Sequence, residues 1–253
     1  MRRSDQDPSP FALAGGPVGC LLVHGFTGAP PEMRPPGDFL HQQGISVSAP
    51  LLPGHGTVPE DLNRVRWQDW VEVARDAFWA LRRQCKVVFV GGLSMGSLVV
   101  LHLAVLQPDL AGIMLYSPAL KVANRLYPLL PLFRSFLKQW PKGSPDLTDP
   151  EAVHRLWTYD TYPVRGAYEL MKFQRVVWGE IHRVRVPAIV FHSTLDREIH
   201  PTAGKFTFEG LGSQDKELVT LHNSGHVITV DSERESVFAR TWEFMVARAG
   251  RQL

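Results

Sequence analysis

The sequence has few cysteines, little net charge and no long apolar run. Among its 253 residues are two cysteines, Cys20 and Cys85, and each adjoins an apolar, strand-like segment. This favours buried thiols over a disulfide framework or a metal site, and predicts a reducing, cytoplasmic setting. The formal charge of +2 is too small to suggest a nucleic-acid partner. No apolar run is long enough to span a membrane, so we expect no stable membrane insertion.

The N-terminus presents one alternative to a cytoplasmic location. Arg2 and Arg3 precede a partly apolar stretch over residues 11–23, a pattern similar to a secretory signal. Charged residues, glycines and a proline interrupt the pattern. The end of the stretch, residues 18–23, is also needed as a core strand, so the cytoplasmic interpretation is favoured.

The overall composition is that of a soluble globular protein, with 44% hydrophobic and 21% charged residues. A chain of this length can bury a large core as one α/β domain with an insertion, and two separate domains are not required. We expect a monomer or a weak homo-oligomer.

Apolar strand patterns alternate with helical patterns along most of the chain. Strands are predicted over residues 18–23, 45–49, 87–90, 110–116, 186–192 and 217–221. Helices are predicted to follow them, among them residues 67–83, 201–211 and 233–248. This alternation predicts an α/β fold, with a mostly parallel sheet covered by helices on both faces. Residues 1–10 are predicted to be a flexible tail.

The alternation stops between residues 119 and 184, where no strand is evident. Six prolines separate apolar helical pieces there, including residues 126–140 and 164–181. We therefore predict a core made of residues 11–118 and 185–253, with residues 119–184 inserted as a small helical cap over the sheet.

The segment over residues 92–96, Gly-Leu-Ser-Met-Gly, fits the Gly-x-Ser-x-Gly nucleophile elbow. It stands between a buried strand and a helix, which makes the short pattern far more specific than it is alone. Glycines on both sides let strand and helix approach closely and hold Ser94 in a strained, exposed conformation. The alternative is an ordinary glycine turn in which Ser94 caps the helix.

A serine hydroxyl needs a base and a third group to orient that base. In a parallel sheet both are expected in loops after later strands, which offer Asp196 and His226. The order serine, acid, histidine is that of an α/β-hydrolase. Rivals remain open: Glu198 for the acid, and His192 or His222 for the base.

Attack on an ester carbonyl places negative charge on oxygen, which backbone N–H donors stabilise by about 3 kcal/mol each. The residue after the nucleophile, Met95, is the first candidate donor. The second is Phe26, in the glycine-containing loop that follows the first buried strand. The alternative for that loop is a simple turn, with His24 bonded to nearby backbone.

Several motifs together resemble the bacterial carboxylesterase and monoacylglycerol lipase family of α/β-hydrolases. They are His-Gly-Phe-Thr-Gly at 24–28, Pro-Gly-His-Gly at 53–56, the elbow at 92–96, Leu-Asp at 195–196 and Ser-Gly-His-Val at 224–227. The resemblance implies a core sheet with a small cap, a catalytic triad of Ser94, Asp196 and His226, and an oxyanion hole formed by Phe26 and Met95. Ser97 departs from the pattern, because relatives commonly carry a second glycine there; we expect an effect on helix packing and little on chemistry.

The cap contains a dense apolar stretch from which Leu129, Phe133 and Phe136 are predicted to bind an acyl chain. Plain packing is the alternative for any one of them. Together with the serine site, this predicts a hydrolase of short- to medium-chain carboxylic esters, monoacylglycerols among them, that works without metal or organic cofactor. Other uses of such a site stay open: acyl transfer, thioester or amide hydrolysis, perhydrolysis, or ligand reception without turnover.

Overall fold

The computed structural model describes residues 6–250, which are built around a seven-stranded sheet. The strands in chain order are β1 (Phe11–Leu13), β2 (Val18–Val23), β3 (Ser46–Ala49), β4 (Val87–Leu93), β5 (Gly112–Tyr116), β6 (Gln139–Pro141), β7 (Thr161–Pro163), β8 (Ala188–Ser193) and β9 (Lys216–Leu221). The sheet has the order β1-β3-β2-β4-β5-β8-β9, and β6 pairs with β7 apart from it. Only the β1 and β3 pair in this sheet is antiparallel. The predicted α/β fold with a mostly parallel sheet is thereby confirmed.

Helices lie on both faces of the sheet, as the alternation of strands and helices predicts. They are α1 (Arg34–Gln42), α2 (Pro59–Leu62), α3 (Trp67–Arg82), α4 (Met95–Leu106), α5 (Leu130–Phe133), α6 (Val164–Glu180), α7 (Ala203–Gly210) and α8 (Arg234–Ala249). Because successive strand residues point to opposite faces, β2 contributes to two cores. Leu21 packs in the core that holds α3, α4 and α6, and Leu22 packs in the core that holds α1 and α8.

Burial on both faces explains why the central strands read as continuous apolar runs. Phe89 in β4 is fully buried, and truncating such a side chain to alanine costs about 3 to 5 kcal/mol. Cys20 and Cys85 are free and buried, as expected from their apolar surroundings. No helix among residues 6–250 combines the length and apolar character needed to cross a membrane.

The segment between β5 and β8 differs from the sequence prediction. Residues 126–140 were expected to be helical, but they form only a 3₁₀ turn at Tyr127–Leu129 and the four-residue α5 before β6. The prolines explain this difference, since each one lacks an N–H donor and interrupts a helix. The prediction that this segment contains no strand is also wrong, because Trp140 in β6 pairs with Tyr162 in β7.

The two ends of this segment are joined to the core in different ways. Near its start, Val122 forms a bridge with Ile199 in the loop after β8. Near its end, α6 packs against α3 and α4, with Phe173 fully buried in the core that they share. The division into a core and a cap over residues 119–184 stays a prediction. The predicted flexible tail includes residues 1–5, which lie outside the described residues, whereas β1 begins at Phe11.

Candidate active site

Ser94 occupies a sharp turn between β4 and α4. Its backbone has a φ of 54° and a ψ of −113°. A residue other than glycine adopts this conformation only where the surrounding structure holds it there. The flanking glycines leave room for that turn: a Cβ on Gly92 would lie 2.3 Å from the carbonyl oxygen of Gly96, and one on Gly96 would lie 2.2 Å from that of Val23. The chain therefore forms a strained elbow at the serine, which distinguishes it from an ordinary capping turn.

Ser97, the departure from the family pattern, ties the elbow helix to the sheet. Its side chain is fully buried, and its hydroxyl donates to the carbonyl oxygen of Gly92 at 2.6 Å. The same hydroxyl lies 3.2 Å from the carbonyl oxygen of Tyr116 in β5. The extra hydroxyl thus bonds the first turn of α4 to the neighbouring strand.

Asp196 and His226 are brought together from the loops that follow β8 and β9. The Oδ2 atom of Asp196 lies 2.8 Å from Nδ1 of His226. The Oδ1 atom of Asp196 accepts the backbone N–H groups of Glu198 at 2.9 Å and Ile199 at 3.0 Å. The carboxylate is therefore held on one side by its own loop and presents its other oxygen to the imidazole.

This pairing sets the charge preferences of both groups. Burial alone raises the pKa of Asp196, but the opposite charge of His226 and three hydrogen bonds outweigh it and lower that pKa. Burial lowers the pKa of His226, but the charge and hydrogen bond of Asp196, together with the charges of Glu198 and Asp146, outweigh it and raise that pKa above its ordinary value of 6.5. Asp196 thus stabilises the protonated form that His226 adopts when it takes a proton.

Ser94 and His226 line one cavity of about 450 Å³ above the carboxyl ends of the parallel strands. Its wall combines residues of the elbow, the first loop and the segment between β5 and β8. Parallel sheets bind ligands at this edge. The predicted serine and base therefore face a common space of a size that suits a small organic ligand.

The loop after β2 runs directly beside the serine. A Cβ on Gly25 would lie 3.3 Å from the Cβ of Ser94. The next residue, Phe26, lines the cavity, and its ring contacts those of His55 and Trp70. Met95, the other predicted donor, is the first residue of α4 and is fully buried. Both predicted oxyanion donors thus adjoin the cavity wall at the serine.

His24 supports this loop from behind and does not line the cavity. Its Nε2 atom accepts the N–H of Leu52 at 3.0 Å, so Nδ1 carries the proton and donates to the carbonyl oxygen of Gly25, also at 3.0 Å. Burial lowers the pKa of His24 to about 4. A neutral histidine bonded to backbone, the alternative considered from the sequence, describes this residue.

Glu32 is a cavity residue that the sequence analysis did not identify. Its carboxylate is buried and accepts the backbone N–H of Gly25, beside the serine. Burial raises the pKa of Glu32 to about 7, against the lowering effects of the Gly25 hydrogen bond, Lys142 and His226. On the other side of the loop, the ammonium group of Lys142 donates to Oγ1 of Thr27 at 2.9 Å. The loop is therefore held by Glu32, seven residues after Gly25, and by Lys142, which is distant in sequence.

The rival candidates are engaged elsewhere. Glu198 lines the cavity but accepts a hydrogen bond from the hydroxyl of Tyr162 at 2.7 Å. His192 lies 2.9 Å from the hydroxyl of Thr220, and His222 lies 3.4 Å from the hydroxyl of Thr194, both near the sheet edge at β9. The contact between Asp196 and His226 favours those two residues over the rivals.

The three predicted acyl-binding residues do not lie together. Phe133 lines the cavity, along with Leu126, Leu130 and Leu137. Leu129 is 41% exposed and Phe136 is 74% exposed, and neither belongs to the cavity wall. The stretch is a 3₁₀ turn followed by a four-residue helix and not one continuous helix, so Leu129 and Phe136 do not share the inner side with Phe133, and their role in acyl binding stays a prediction.

The comparisons with known proteins are consistent with this geometry. Residues 19–233 match the family model Hydrolase_4, described as serine aminopeptidase, S33. The chain is 35% identical over 246 residues to a thermostable monoacylglycerol lipase of Bacillus sp. (strain H-257), with 95% of each chain covered. It is 27% identical over 240 residues to a carboxylesterase of Bacillus subtilis (strain 168), covering 94% of this chain and 96% of the relative.

Solved structures show the same overall shape. A structure from work on the metagenome-derived lipolytic enzymes LipS and LipT superposes with a TM-score of 0.91 at 30% identity, covering 95% of this chain and 98% of that one. The monoacylglycerol lipase of Paleococcus ferrophilus superposes with a TM-score of 0.81 at 20% identity and the same coverage. At 20% identity the second match bears on the fold alone.

Proposed function

The chain belongs to the Hydrolase_4 family of α/β-hydrolases, and on that premise we propose that it is a carboxylic ester hydrolase acting through a serine nucleophile. The observation that carries this proposal is the contact of 2.8 Å between Asp196 and His226, in a site whose cavity is also lined by the strained Ser94. Two relatives covering nearly the whole chain are a monoacylglycerol lipase and a carboxylesterase by name.

The reaction proceeds in two stages through an acyl-enzyme. His226 takes the proton of the Ser94 hydroxyl through Nε2, and the serine oxygen attacks the ester carbonyl. Asp196 holds the imidazole through Nδ1 and stabilises its charged form. The tetrahedral intermediate collapses as His226 gives the proton to the departing alcohol. Water, deprotonated by the same His226, then attacks the acyl-enzyme and releases the acid and the free serine.

The negative charge on the carbonyl oxygen is stabilised by the backbone N–H groups of Phe26 and Met95. Two such donors lower the barrier by about 3 kcal/mol each. The N-terminal position of Met95 in α4 adds the favourable field of the helix dipole. No cofactor is required by this sequence of steps.

The cavity favours esters with an apolar acyl chain. The side chains of Leu126, Leu130, Phe133 and Leu137 form one side of its wall. Each buried methylene of a substrate contributes about 0.8 kcal/mol to binding, so a chain of several carbons is retained. Short- to medium-chain esters, monoacylglycerols among them, are the substrate class that we propose.

Amide hydrolysis is the second candidate, because the family model is described as a serine aminopeptidase. The same acyl-enzyme also serves acyl transfer, thioester hydrolysis and perhydrolysis. The apolar cavity wall and the names of the two relatives favour esters. A receptor without turnover is disfavoured by the Asp196–His226 pair, which a binding site does not need.

A burst assay with p-nitrophenyl butyrate tests the proposal. The native protein is expected to release one nitrophenolate per active site rapidly and then turn over steadily, while Ser94→Ala does neither and no longer reacts with a fluorophosphonate probe. Ester cleavage that persists in Ser94→Ala would reject Ser94 as the nucleophile. Labelling without turnover would favour the receptor, and faster cleavage of aminoacyl p-nitroanilides would favour amide hydrolysis.

A cytoplasmic location and a monomeric or weakly associating state stay predictions. The two buried free thiols support a reducing compartment. Size-exclusion chromatography with light scattering checks the predicted oligomeric state directly.

A further inference from the structure

Asp146 connects the segment between β5 and β8 to the loop that carries Asp196. It lies in the loop after β6, and its side chain is only 6% exposed although it lines the cavity. Its Oδ2 atom accepts the backbone N–H of Arg197 at 2.7 Å, and its Oδ1 atom accepts Nε–H of the same arginine at 2.7 Å. The carboxylate therefore holds the residue that directly follows the candidate acid.

The backbone of Asp146 holds the candidate base. Its carbonyl oxygen accepts the N–H of His226 at 2.9 Å. The two chains approach so closely that a Cβ on Gly225 would lie 2.3 Å from that carbonyl oxygen, which only glycine permits. A single residue of the inserted segment thus bonds to both loops that the proposed mechanism needs in register.

Separate hydrogen bonds keep this part of the segment in place. The carboxylate of Asp231 accepts the N–H of Thr148 at 3.0 Å and that of Asp149 at 2.7 Å. It also accepts the N–H of Gly225 at 2.6 Å. The position of the chain around Asp146 therefore does not depend on the Asp146 side chain alone.

We propose that Asp146 is a positioning residue of the reaction, which holds the Asp196 loop and the His226 loop at the separation where their hydrogen bond forms. This inference rests on the proposed function. Asp146 takes no part in proton transfer, and it acts through the geometry and the charge that it imposes on His226.

Several charged groups face His226, and their effects on it differ. The negative charges of Asp196, Glu198 and Asp146 each favour the protonated imidazole. Glu32 faces it from the loop after β2, and the guanidinium group of Arg197 pairs with Asp146. Removing the charge of Asp146 therefore makes His226 easier to deprotonate. Removing the charge of Arg197 leaves the negative charge of Asp146 unpaired, so we expect the opposite effect on His226.

The test compares three variants by kcat, KM and the pH profile of kcat/KM with p-nitrophenyl butyrate. Asp146→Asn keeps the size of the side chain and is expected to lower kcat about tenfold with little change in KM, since a misplaced catalytic group costs rate and not affinity. The ascending limb of its pH profile of kcat/KM is expected at lower pH than in the native protein. Arg197→Gln is expected to move the limb to higher pH.

Asp149→Asn is the matched control. It removes a carboxylate from the same segment, one that pairs with Arg155 at 2.7 Å and contacts neither Arg197 nor His226 in the described hydrogen bonds. Its kcat and its limb are expected to equal those of the native protein, whatever the change in melting temperature.

The outcomes separate this inference from the proposed function. If the native protein hydrolyses the ester, Ser94→Ala does not, and the limb of Asp146→Asn stays at the native position, Asp146 has no positioning role. If Asp146→Asn does not fold, the direction of the shift in Arg197→Gln decides, and an unmoved limb there overturns the inference. If Ser94→Ala remains active, the proposed function itself fails.

Discussion

His226 and Asp196 are joined by a hydrogen bond of 2.8 Å, although 30 residues separate them in the chain. The second oxygen of Asp196 is already occupied by two backbone N–H groups of its own loop. The carboxylate therefore has one oxygen, Oδ2, left for the imidazole, and His226 is bonded to it. This arrangement makes the protonation of His226 depend on the charge of Asp196.

Activity is expected to increase with pH because His226 must be neutral to accept the serine proton. Burial lowers its pKa, and the larger combined effect of Asp196 and the neighbouring carboxylates raises it above 6.5. The sign follows directly: the base form is lost as pH falls, so kcat/KM rises through a midpoint above that of an ordinary histidine. A flat profile between about pH 5 and pH 8 would contradict the role of His226.

Asp196→Asn is expected to lower kcat by about 10³- to 10⁴-fold, because the amide favours the wrong tautomer of His226. The remaining activity should rise at lower pH than in the native protein, since the charge that raised the pKa is gone. Glu198→Gln is the control for the loss of kcat, as Glu198 bonds to Tyr162 and not to His226 in the described residues. Equal losses in both variants would mean that Asp196 is not the acid of the site.

Replacing Glu32 is expected to affect the loop beside the serine. Glu32→Leu leaves the buried N–H of Gly25 without its acceptor, which costs about 1 to 3 kcal/mol in the free energy of unfolding. A lower kcat should accompany that loss. Glu32→Gln retains an acceptor oxygen and should keep most of the stability and most of kcat. Urea denaturation measures the first and steady-state kinetics the second. Identical behaviour of the two variants would exclude a role for the hydrogen bond.

Acyl-chain preference is expected to change in Phe133→Ala and to remain in Phe136→Ala. The two rings contact each other, with centroids 5.9 Å apart, but only Phe133 lines the cavity. Removing the inner ring enlarges the cavity, so the preferred p-nitrophenyl ester should become longer and the kcat/KM for the butyrate should fall about tenfold. A similar shift in Phe136→Ala would place the acyl site on the outer surface instead.

Ser97→Ala is expected to reduce stability with little effect on catalysis. The buried hydroxyl donates to Gly92 at 2.6 Å, and a hydrogen bond of this kind contributes about 1 kcal/mol to the free energy of unfolding. Ser97→Gly should lose about 1 kcal/mol more, because glycine is unfavourable inside a helix. Urea denaturation measures both, and kcat should stay within about twofold. A large loss of kcat in Ser97→Ala would mean that the hydroxyl of Ser97 contributes to catalysis and not only to stability.

The sequence predicted the fold well because its signals are local. A run such as β4 carries its burial pattern in consecutive residues, and the glycines around Ser94 have a direct steric meaning. Asp196 and His226 were predicted from their positions after strands, where a parallel sheet gathers its loops at one edge.

The parts that the sequence did not predict depend on contacts that leave no recognisable pattern in the chain. Glu32 lies among prolines, and nothing near it in the chain indicates that its carboxylate bonds to the serine loop. Asp146 meets Arg197 across 51 residues, and such a pairing has no periodic signal. In the segment between β5 and β8, prolines at 128 and 131 interrupted a helix that apolar spacing alone favoured.

The segment between β5 and β8 is bonded to the rest of the fold on both sides of its apolar stretch. At its start, Val122 pairs with Ile199, and further along, Thr148 and Asp149 bond to Asp231. The stretch from Leu126 to Leu137 between these anchors supplies the apolar wall of the cavity. Substitutions in that stretch are therefore expected to change which acyl group is accepted, while the contacts of Asp146 with the loops of Asp196 and His226 stay in place. Acyl selectivity and turnover rate can then change independently of each other, in evolution or in protein engineering.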